Sequence, residues 1–192
     1  MNIVLEDIEK SYNKKTIFQS LSYNFEDSKR YGIAGRNGSG KSTLLKIISG
    51  YITPNKGTVS CYRDKKLISL DNLFYHTSFA APYIDIPLEF TLFELFDFHF
   101  SLRNRYLDTA NTDINSHFSL PINIPIQQFS SGMLQRVKLA LAFFTDSSLL
   151  ILDEPTETLD DSGIDLYKKL LSKYTENRTT IIASNKENDF SS

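Results

Sequence analysis

The chain has 192 residues, of which 41% are hydrophobic and 23% charged, and its formal net charge is −2 at pH 7. This composition is typical of a compact globular domain and excludes a chain that is disordered throughout. The lone cysteine excludes an intramolecular disulfide, and the small negative charge argues against nucleic acid as a partner. No apolar run approaches the ~20 residues of a membrane-spanning helix, and the first residues do not resemble a signal peptide. We therefore expect a soluble, cytosolic, one-domain protein.

The first half of the chain is predicted to contain short strands and one helix. The first thirty residues carry β-prone runs, one of which alternates as a half-buried strand does, at residues 3–5, 16–18 and 21–25. Residues 31–34 lead into a glycine-rich turn. Lys41 to Ser49 is predicted as a helix, with Gly50 at a left-handed C-cap. Further strand-like pieces lie between residues 57 and 79, among them 58–62 and 66–70.

Helices and buried strands are predicted to alternate after Pro82. Thr91 and Glu94 have the spacing of a capping box, so a helix is expected from there to about Tyr106. Residues 111–128 are polar and contain prolines, which predicts a loop with short helical turns. Further elements are predicted as helices at 132–144 and 164–174 and as fully buried strands at 149–152 and 179–183. Helices between buried strands indicate an α/β core.

A glycine-rich motif between a predicted strand and a predicted helix points to phosphate binding. Residues 35–42 read Gly-Arg-Asn-Gly-Ser-Gly-Lys-Ser and fit the pattern G-x-x-x-x-G-K-[ST]. The glycines let backbone N–H groups converge on phosphate oxygens, and the following helix adds its dipole. Lys41 would contact the β- and γ-phosphates, and the Ser42 hydroxyl would bind Mg²⁺. The predicted nucleotide-binding residues of this segment are Gly35, Asn37, Gly38, Ser39, Gly40, Lys41, Ser42 and Thr43.

An acidic pair follows the buried strand at residues 149–152. Asp153 would lie at the carboxyl end of that strand, where open α/β sheets bind ligands, and is predicted as a second Mg²⁺ ligand. Glu154 follows at once and is predicted to polarise the attacking water. A strand that ends in two acids also occurs as a solvated turn, and the phosphate-loop motif favours the functional interpretation.

With these motifs the sequence resembles the ATPase (nucleotide-binding) subunit of ABC transporters. The segment Phe129-Ser-Ser-Gly-Met-Leu-Gln-Arg136 is similar to that family's signature, Leu-Ser-Gly-Gly-Gln followed by Gln-Arg. Ser130 and Gly132 match the signature, whereas Phe129, Ser131 and Met133 replace its Leu, Gly and Gln. The resemblance implies that Ser130 and Gly132 act on the γ-phosphate of ATP held by a partner domain.

The resemblance carries further expectations for fold and site. It implies a RecA-like P-loop NTPase core with an antiparallel β-subdomain, and one domain over residues 1–192 with a helical subdomain at about 82–145. Tyr12 matches the family's aromatic residue that stacks on adenine, and a plain strand-end tyrosine is the alternative. Residues 158–160 resemble the loop that contacts the partner across the dimer.

Two family positions are filled differently. The glutamine that ends a core strand should fall near residues 80–82, where the sequence is Ala-Ala-Pro, and the switch histidine should fall at Asn185. Asparagine offers an amide donor but cannot carry a proton. We therefore expect ATP binding to persist with slow hydrolysis, Glu154 remaining the base and Asn185 contributing its amide. Asp85 is one conceivable substitute for the missing glutamine.

The expected function is that of an ATP-hydrolysing subunit that dimerises around two ATP·Mg²⁺, as a homo- or heterodimer, and drives a separate membrane permease from the inner face of the membrane. The alternatives are an ATP-binding switch and an ABC ATPase without a membrane partner. Residues 74–106 hold ten Phe or Tyr, which predicts the core of the helical subdomain, a docking groove for the permease, or both.

Overall fold

A computed structural model describes residues 1–13 and 15–191 of the chain. Its strands and helices are, in chain order, β1 (Asn2–Tyr12), β2 (Lys15–Phe25), β3 (Arg30–Ala34), α1 (Lys41–Ile48), β4 (Lys56–Arg63), β5 (Lys66–Ile68), α2 (Leu70–His76), β6 (Thr77–Ala80), α3 (Leu92–Leu102), α4 (Asn111–Phe118), α5 (Ser131–Phe144), β7 (Leu149–Asp153), α6 (Asp161–Lys173) and β8 (Thr179–Ser184). Short 3-10 helices occupy Tyr106–Asp108, Ile126–Gln128 and Glu187–Asp189. Within the described residues, no helix combines the length and apolar character needed to cross a membrane.

The first sheet is antiparallel and has the strand order β2-β1-β4-β5. β1 and β2 form a long hairpin, and register shifts along it mark bulges that bend the pair. The inner face of β1 buries Ile3, Leu5 and Ile8 against a core that also contains Leu45 and Ile48 of α1. The predicted antiparallel strands are thereby confirmed, and the sheet covers α1 from one side.

The second sheet is parallel and has the order β3-β8-β7-β6. Every residue of β7 and β8 is buried, as expected for strands with helices on both faces. α1 packs on one face, while α5 and α6 belong to the core on the other. Since parallel strands end at the same edge, the loops after β3, β7 and β8 meet there. The predicted α/β core is confirmed.

The helices between β6 and β7 differ in part from the sequence prediction. The capping box is confirmed: the Thr91 backbone N–H donates to Glu94 Oε2 at 2.8 Å, and the Glu94 N–H donates to Thr91 Oγ1. The helix that it opens ends at Leu102 rather than near Tyr106, because the next residue, Arg103, is extended and donates its guanidinium to the carbonyl oxygen of Thr77 at 2.9 Å.

Two other predictions of secondary structure were incomplete. Residues 111–118 form the two-turn helix α4, which buries Ile114 and Phe118 one turn apart, where a loop with short helical turns was predicted. The strand predicted at 66–70 ends at Ile68, and α2 follows it. The chain turns into a helix here because Leu73, the buried residue of α2, packs beside Gly50 in the core that contains α1.

A buried arginine fixes the end of α5 to β8. Arg178 is 1% exposed, and its Nη2 donates to the carbonyl oxygen of Phe143 at 2.8 Å. Its Nη1 donates to the carbonyl oxygen of Thr145 at 3.3 Å, so its cation meets the negative end of the helix. The residue stabilises the junction between the last turn of α5 and the buried sheet.

A partly buried histidine joins α3 to the same end of α5. His99 Nε2 lies 2.7 Å from Thr145 Oγ1, and that hydroxyl donates to the carbonyl oxygen of Leu141 at 2.6 Å. Because the hydroxyl proton is already used, the neutral His99 ring donates from Nε2. Burial lowers the pKa of His99 from 6.5 to about 4, and the nearby guanidinium groups of Arg103 and Arg105 act in the same direction.

We predict that His99 makes the protein less stable in mild acid. Between about pH 6.5 and pH 4 the unfolded chain binds a proton at His99 that the folded protein excludes, so the free energy of unfolding falls as the pH falls. The free energy of unfolding is lowered by about 3 kcal/mol at pH 4 and is unaffected by His99 above pH 7. Urea unfolding of wild type and His99→Gln at pH 7 and pH 4.5 measures it. An equal loss of stability in both proteins would contradict the prediction.

Candidate active site

The loop between β3 and α1 depends on glycines with positive φ. Gly38 has φ 78° and Gly40 has φ 101°, a region that side chains rarely adopt. A Cβ on Gly40 would also lie 2.5 Å from Ile17 Cγ2 of β2. Gly40 is the N-cap of α1 and supplies no side-chain hydrogen bond, so the first N–H groups of the helix face the loop uncapped. The predicted phosphate-binding turn is thus present as a nest of backbone donors.

Lys41 lies at the centre of this loop and is 8% exposed. Its Nζ donates to the carbonyl oxygen of Gly35 at 2.7 Å and forms an ion pair with Glu154 Oε1 at 3.0 Å. The side chain predicted to contact phosphate and the one predicted to polarise the attacking water are therefore in direct contact. A phosphate that reached Lys41 would compete with Glu154 for the same ammonium group.

Asp153 ends β7 and is 1% exposed. Among the described residues neither of its carboxylate oxygens has a hydrogen-bond partner. Burial raises the pKa of this carboxyl, while the hydroxyls of Ser42 and Tyr83, which face it, and the charge of Lys41 lower it. An unsatisfied buried carboxylate beside a serine hydroxyl is a set of hard oxygen atoms, and this fits a Mg²⁺ ion.

The strand β8 fixes Glu154, which has the unusual φ of 45°. The Glu154 backbone N–H donates to the carbonyl oxygen of Ala183 at 2.8 Å. Its Oε2 accepts hydrogen bonds from the Ser184 hydroxyl at 3.1 Å and from the Asn185 N–H at 3.3 Å. The carboxylate is therefore held in one orientation by a strand that is fully buried.

Asn185 connects the end of β8 to the phosphate-binding loop. Its Nδ2 donates to Asn37 Oδ1 at 3.1 Å. The side chain expected at the switch position therefore lies at the mouth of the loop, where its amide already bridges two of the predicted site residues.

These residues surround one cavity of about 350 Å³. Its walls are Ile17, Asn37, Gly38, Gly40, Lys41, Ser42, Thr43, Pro82, Tyr83, Asp153, Glu154 and Glu157. The sequence predictions included neither Tyr83 nor Glu157, nor Ile17 of β2. The only sequence signal for Tyr83 is an aromatic residue just after the strand that the family ends with glutamine.

Six predicted residues are not part of the walls of this cavity: Gly35 and Ser39 of the loop, Asn185 after β8, and Tyr12, Ser130 and Gly132. Tyr12 is 47% exposed at the end of β1, with Lys10 Nζ 5.1 Å from the centroid of its ring. Ser130 is the N-cap of α5, and its hydroxyl accepts from the Met133 N–H at 3.2 Å. A Cβ on Gly132 would lie 3.0 Å from the carbonyl oxygen of Thr158. Within one chain the signature-like segment thus faces the loop after β7 rather than the phosphate loop.

The glutamine and arginine after the signature-like segment hold that loop in place. Gln135 is buried and donates to the carbonyl oxygen of Pro155 at 2.9 Å. Arg136 donates to Asp160 Oδ1 at 2.7 Å and to the Ser162 hydroxyl at 2.8 Å. These hydrogen bonds join α5 to the loop that contains residues 158–160, which was predicted to contact the partner domain. The helix and the loop therefore form one continuous surface.

The segment in which the resemblance implied a glutamine, residues 80–82, is held by contacts of its backbone. Ala81 is fully buried, and its carbonyl oxygen accepts from Lys138 Nζ of α5 at 3.3 Å, as that of Pro82 does at 2.7 Å. Asp85, the conceivable substitute for the glutamine, lines a different cavity next to Lys138. From this part of the chain, Pro82 and Tyr83 line the active-site cavity.

Comparison with known proteins identifies the family. The family model described as ABC transporter matches residues 18–157. An ABC transporter ATP-binding protein of Bacillus subtilis, YybJ, is 30% identical over 195 aligned positions that cover 95% of this chain and 85% of the relative. The lantibiotic transport ATP-binding protein SrtF of Streptococcus pyogenes is 28% identical, with 94% and 78% covered.

Solved structures of low sequence identity share the fold. A dimeric ATP-binding cassette in a post-hydrolysis state with ADP and Pi superposes with a TM-score of 0.82 at 23% identity, over 98% of this chain and 90% of that one. A putative ABC transporter ATP-binding protein of Pyrococcus furiosus gives 0.80 at 23% identity, with 97% and 92% covered. By its P-loop NTPase fold and its matched sequence, the chain belongs to the ABC transporter family as an ATP-binding ATPase domain.

Proposed function

We propose that two such domains close around two ATP·Mg²⁺, drive a separate membrane permease from the inner face of the membrane, and hydrolyse ATP slowly. The main support for nucleotide binding is that Lys41, Asp153 and Glu154 line one cavity next to the glycine-rich loop. The partner domain is either a second copy of this chain or a related chain.

In this proposal the backbone N–H groups of the loop and Lys41 bind the phosphates. Lys41 leaves its ion pair with Glu154 when a phosphate reaches it, which frees the carboxylate to accept a proton from water. Ser184 and the Asn185 N–H keep that carboxylate in place during the exchange. Binding of the substrate and release of the base are therefore linked through one lysine.

Ser42 and Asp153 would hold the Mg²⁺ ion, which supplies charge neutralisation between the β- and γ-phosphates. The partner's γ-phosphate would meet Ser130 and the free N–H groups at the start of α5. The position of this segment outside its own chain's cavity supports an action on a second domain. Tyr12 is proposed as the adenine platform because its ring is exposed at the end of β1.

We predict that Lys41→Ala weakens ATP binding about 10- to 100-fold, because it removes a charged hydrogen-bond donor to phosphate. Glu154→Gln should bind ATP at least as tightly as the wild type, because no carboxylate then competes for Lys41, and should lose hydrolysis by about 10²- to 10⁴-fold, because the amide cannot act as a base. Fluorescent nucleotide titration and phosphate release measure the two effects, and Lys169→Ala on the exposed face of α6 is the matched control. Unchanged ATP affinity in Lys41→Ala would refute the assignment of the site.

Slow hydrolysis is proposed from the chemistry of Asn185. Its amide reaches Asn37 but has no titrating group, so it cannot relay a proton or place a positive charge near the γ-phosphate. Ala81 adds no polar side chain at the position where the family has glutamine. Tight closure on ATP requires neither of these functions, which supports a long-lived ATP-bound dimer.

We predict that Asn185→His increases the turnover number, by up to about 10²-fold, since one positioned hydrogen bond commonly accounts for 10² to 10³ in rate. The KM for ATP should change little. Steady-state hydrolysis by the purified wild type and variant tests this. Wild-type turnover already at the rate of the histidine variant would show that the asparagine does not slow the reaction.

An apolar groove beside the active site supports the permease part of the proposal. The groove has a volume of about 510 Å³ and is lined by residues of α2, β6, α3 and α5 together with the segment at 84–87. Its lining includes four exposed large side chains, Tyr51 at 77%, Leu70 at 53%, Phe74 at 61% and Phe98 at 49%. Exposed aromatic and aliphatic side chains around a concave surface are typical of protein-binding sites. We propose that it takes a short apolar segment of the permease.

We predict that the double variant Leu70→Glu/Phe98→Glu keeps ATP binding but loses a membrane partner, because carboxylates would be buried in the groove. Purification of the wild type from detergent-solubilised membranes should yield a multi-span polypeptide that the double variant lacks. Leu67→Glu, at 65% exposure on β5 outside the groove, is the control. Recovery of the wild type without any multi-span polypeptide would favour an ABC ATPase without a membrane partner.

A further inference from the structure

A second buried carboxylate lies next to the residues that hold Glu154. Asp189 is 2% exposed and belongs to the short 3-10 helix that follows β8. Its Oδ1 accepts a hydrogen bond from the Thr156 hydroxyl at 2.7 Å, and its Oδ2 accepts one from the Ser184 hydroxyl at 2.7 Å. The sequence motifs assign no role to this side chain.

Ser184 connects Asp189 to Glu154. Its hydroxyl lies 2.7 Å from Asp189 Oδ2 and 3.1 Å from Glu154 Oε2. A serine hydroxyl has one proton, so the two carboxylates share it. The hydroxyl oxygen also accepts from the Lys186 backbone N–H at 3.0 Å. Asp189 and this N–H together select one rotamer of Ser184, and that rotamer places the hydroxyl against Glu154.

Thr156 connects Asp189 to the turn that begins at Glu154. Thr156 is 1% exposed and follows Glu154 by two residues. The Glu157 N–H donates to the carbonyl oxygen of Glu154 at 3.2 Å, and Glu154 has a φ of 45°. A glutamate in this left-handed region persists only where surrounding contacts hold it. The hydrogen bond from Thr156 to Asp189 is one of these contacts.

The core anchors Asp189 in turn. Tyr167 of α6 is fully buried, and its hydroxyl donates to the carbonyl oxygen of Asp189 at 2.8 Å. The next residue, Phe190, packs against the same core cluster, and a Cβ on Gly32 of β3 would lie 2.7 Å from its ring. The backbone of Asp189 is therefore fixed, and its carboxylate can hold the two hydroxyls in place.

We infer that Asp189 is a positioning residue for the proposed catalytic base: it holds the Ser184 hydroxyl against Glu154 and ties the turn at Thr156 to the same carboxylate, so that Glu154 keeps its place at the cavity. The inference rests on the proposed function, which assigns Glu154 as the base. Asp189 is not among the residues that line the active-site cavity, so it acts through its neighbours and not on the nucleotide. A misplacement of a reacting group by about 1 Å can cost about 10²-fold in rate.

The first test is Asp189→Ala, which removes both hydrogen-bond acceptors. We expect kcat for ATP hydrolysis, followed with radiolabelled ATP, to fall about 10- to 100-fold, while the affinity for a fluorescent ATP analogue stays that of the wild type. Asp189→Asn should restore most of the rate, because an amide can still form a hydrogen bond with each hydroxyl.

Ser147→Ala is the matched control. Ser147 is buried, and its hydroxyl lies 2.7 Å from the Ser78 hydroxyl at the other end of β6 and β7 from Glu154. The variant therefore also loses a buried hydrogen bond of the same sheet. Its kcat should equal that of the wild type.

A double-mutant cycle separates the positioning of Glu154 from a general loss of stability. Ser184→Ala should lower kcat by itself, and Asp189→Ala/Ser184→Ala should lose clearly less than the product of the two single losses, because both changes break one chain of hydrogen bonds. Thr156→Val keeps the shape of its side chain and removes the other hydrogen bond of Asp189. It should also lower kcat at unchanged ATP affinity, which keeps the inference testable where Asp189→Ala does not fold.

Three results would overturn the inference. Wild-type kcat in Asp189→Ala, or in Thr156→Val where Asp189→Ala does not fold, would do so and leave the proposed function intact. Independent losses in the double variant, or a parallel loss of ATP affinity, would also do so, since they indicate damage that is not transmitted to Glu154. Wild-type hydrolysis in Glu154→Gln would overturn the proposed role of Glu154 and this inference together.

Discussion

The active site depends on a carboxylate, Asp153, that the fold buries without a hydrogen-bond partner among the described residues. Such a group costs a protein about 1–3 kcal/mol or more, because water no longer solvates it. Lys41 offsets part of this cost through its charge, but its ammonium group is paired with Glu154 and the Gly35 carbonyl. The arrangement leaves two carboxylate oxygens without a hydrogen-bond partner in the described part of the chain, beside the uncapped N-terminus of α1. A divalent cation with a polyphosphate would satisfy both at once.

The order of the strands in the parallel sheet brings the glycine-rich loop and the acidic pair together. Because β8 lies between β3 and β7, the phosphate loop and the acidic pair are one strand apart, and β8 can support both. Its last residue, Ser184, donates to Glu154, and Asn185 donates to Asn37 of the loop. β7 and β8 are fully buried, so the core fixes the strands that carry this edge of the sheet. The groups proposed for catalysis therefore gain their geometry from the core.

The sequence predicted those parts that depend on local chemistry. Glycine spacing identified the loop, and four consecutive apolar residues identified β7, because each pattern is rare outside the structure that it predicts. The sequence did not reveal α2, whose formation depends on packing of Leu73 in the α1 core. It also did not reveal that Tyr83 lines the cavity, because this position depends on contacts with other elements, such as the one with Lys46 of α1. A tyrosine in a loop has no periodicity or motif that separates it from a surface residue. Tertiary contacts decide its environment.

The segment after β6 also determines how an event in the groove can reach the active site. Lys138 fixes its first carbonyl groups to α5, and the ring of Tyr83 packs against Lys46 of α1 and Phe79 of β6. Pro87 in the groove wall follows Tyr83 by about four residues, a length of chain that spans at most about 14 Å. So short a segment, held from Ala81 to Tyr83, can absorb little of a movement of the wall. A partner seated in the groove would therefore act on the part of the active-site wall that Tyr83 forms.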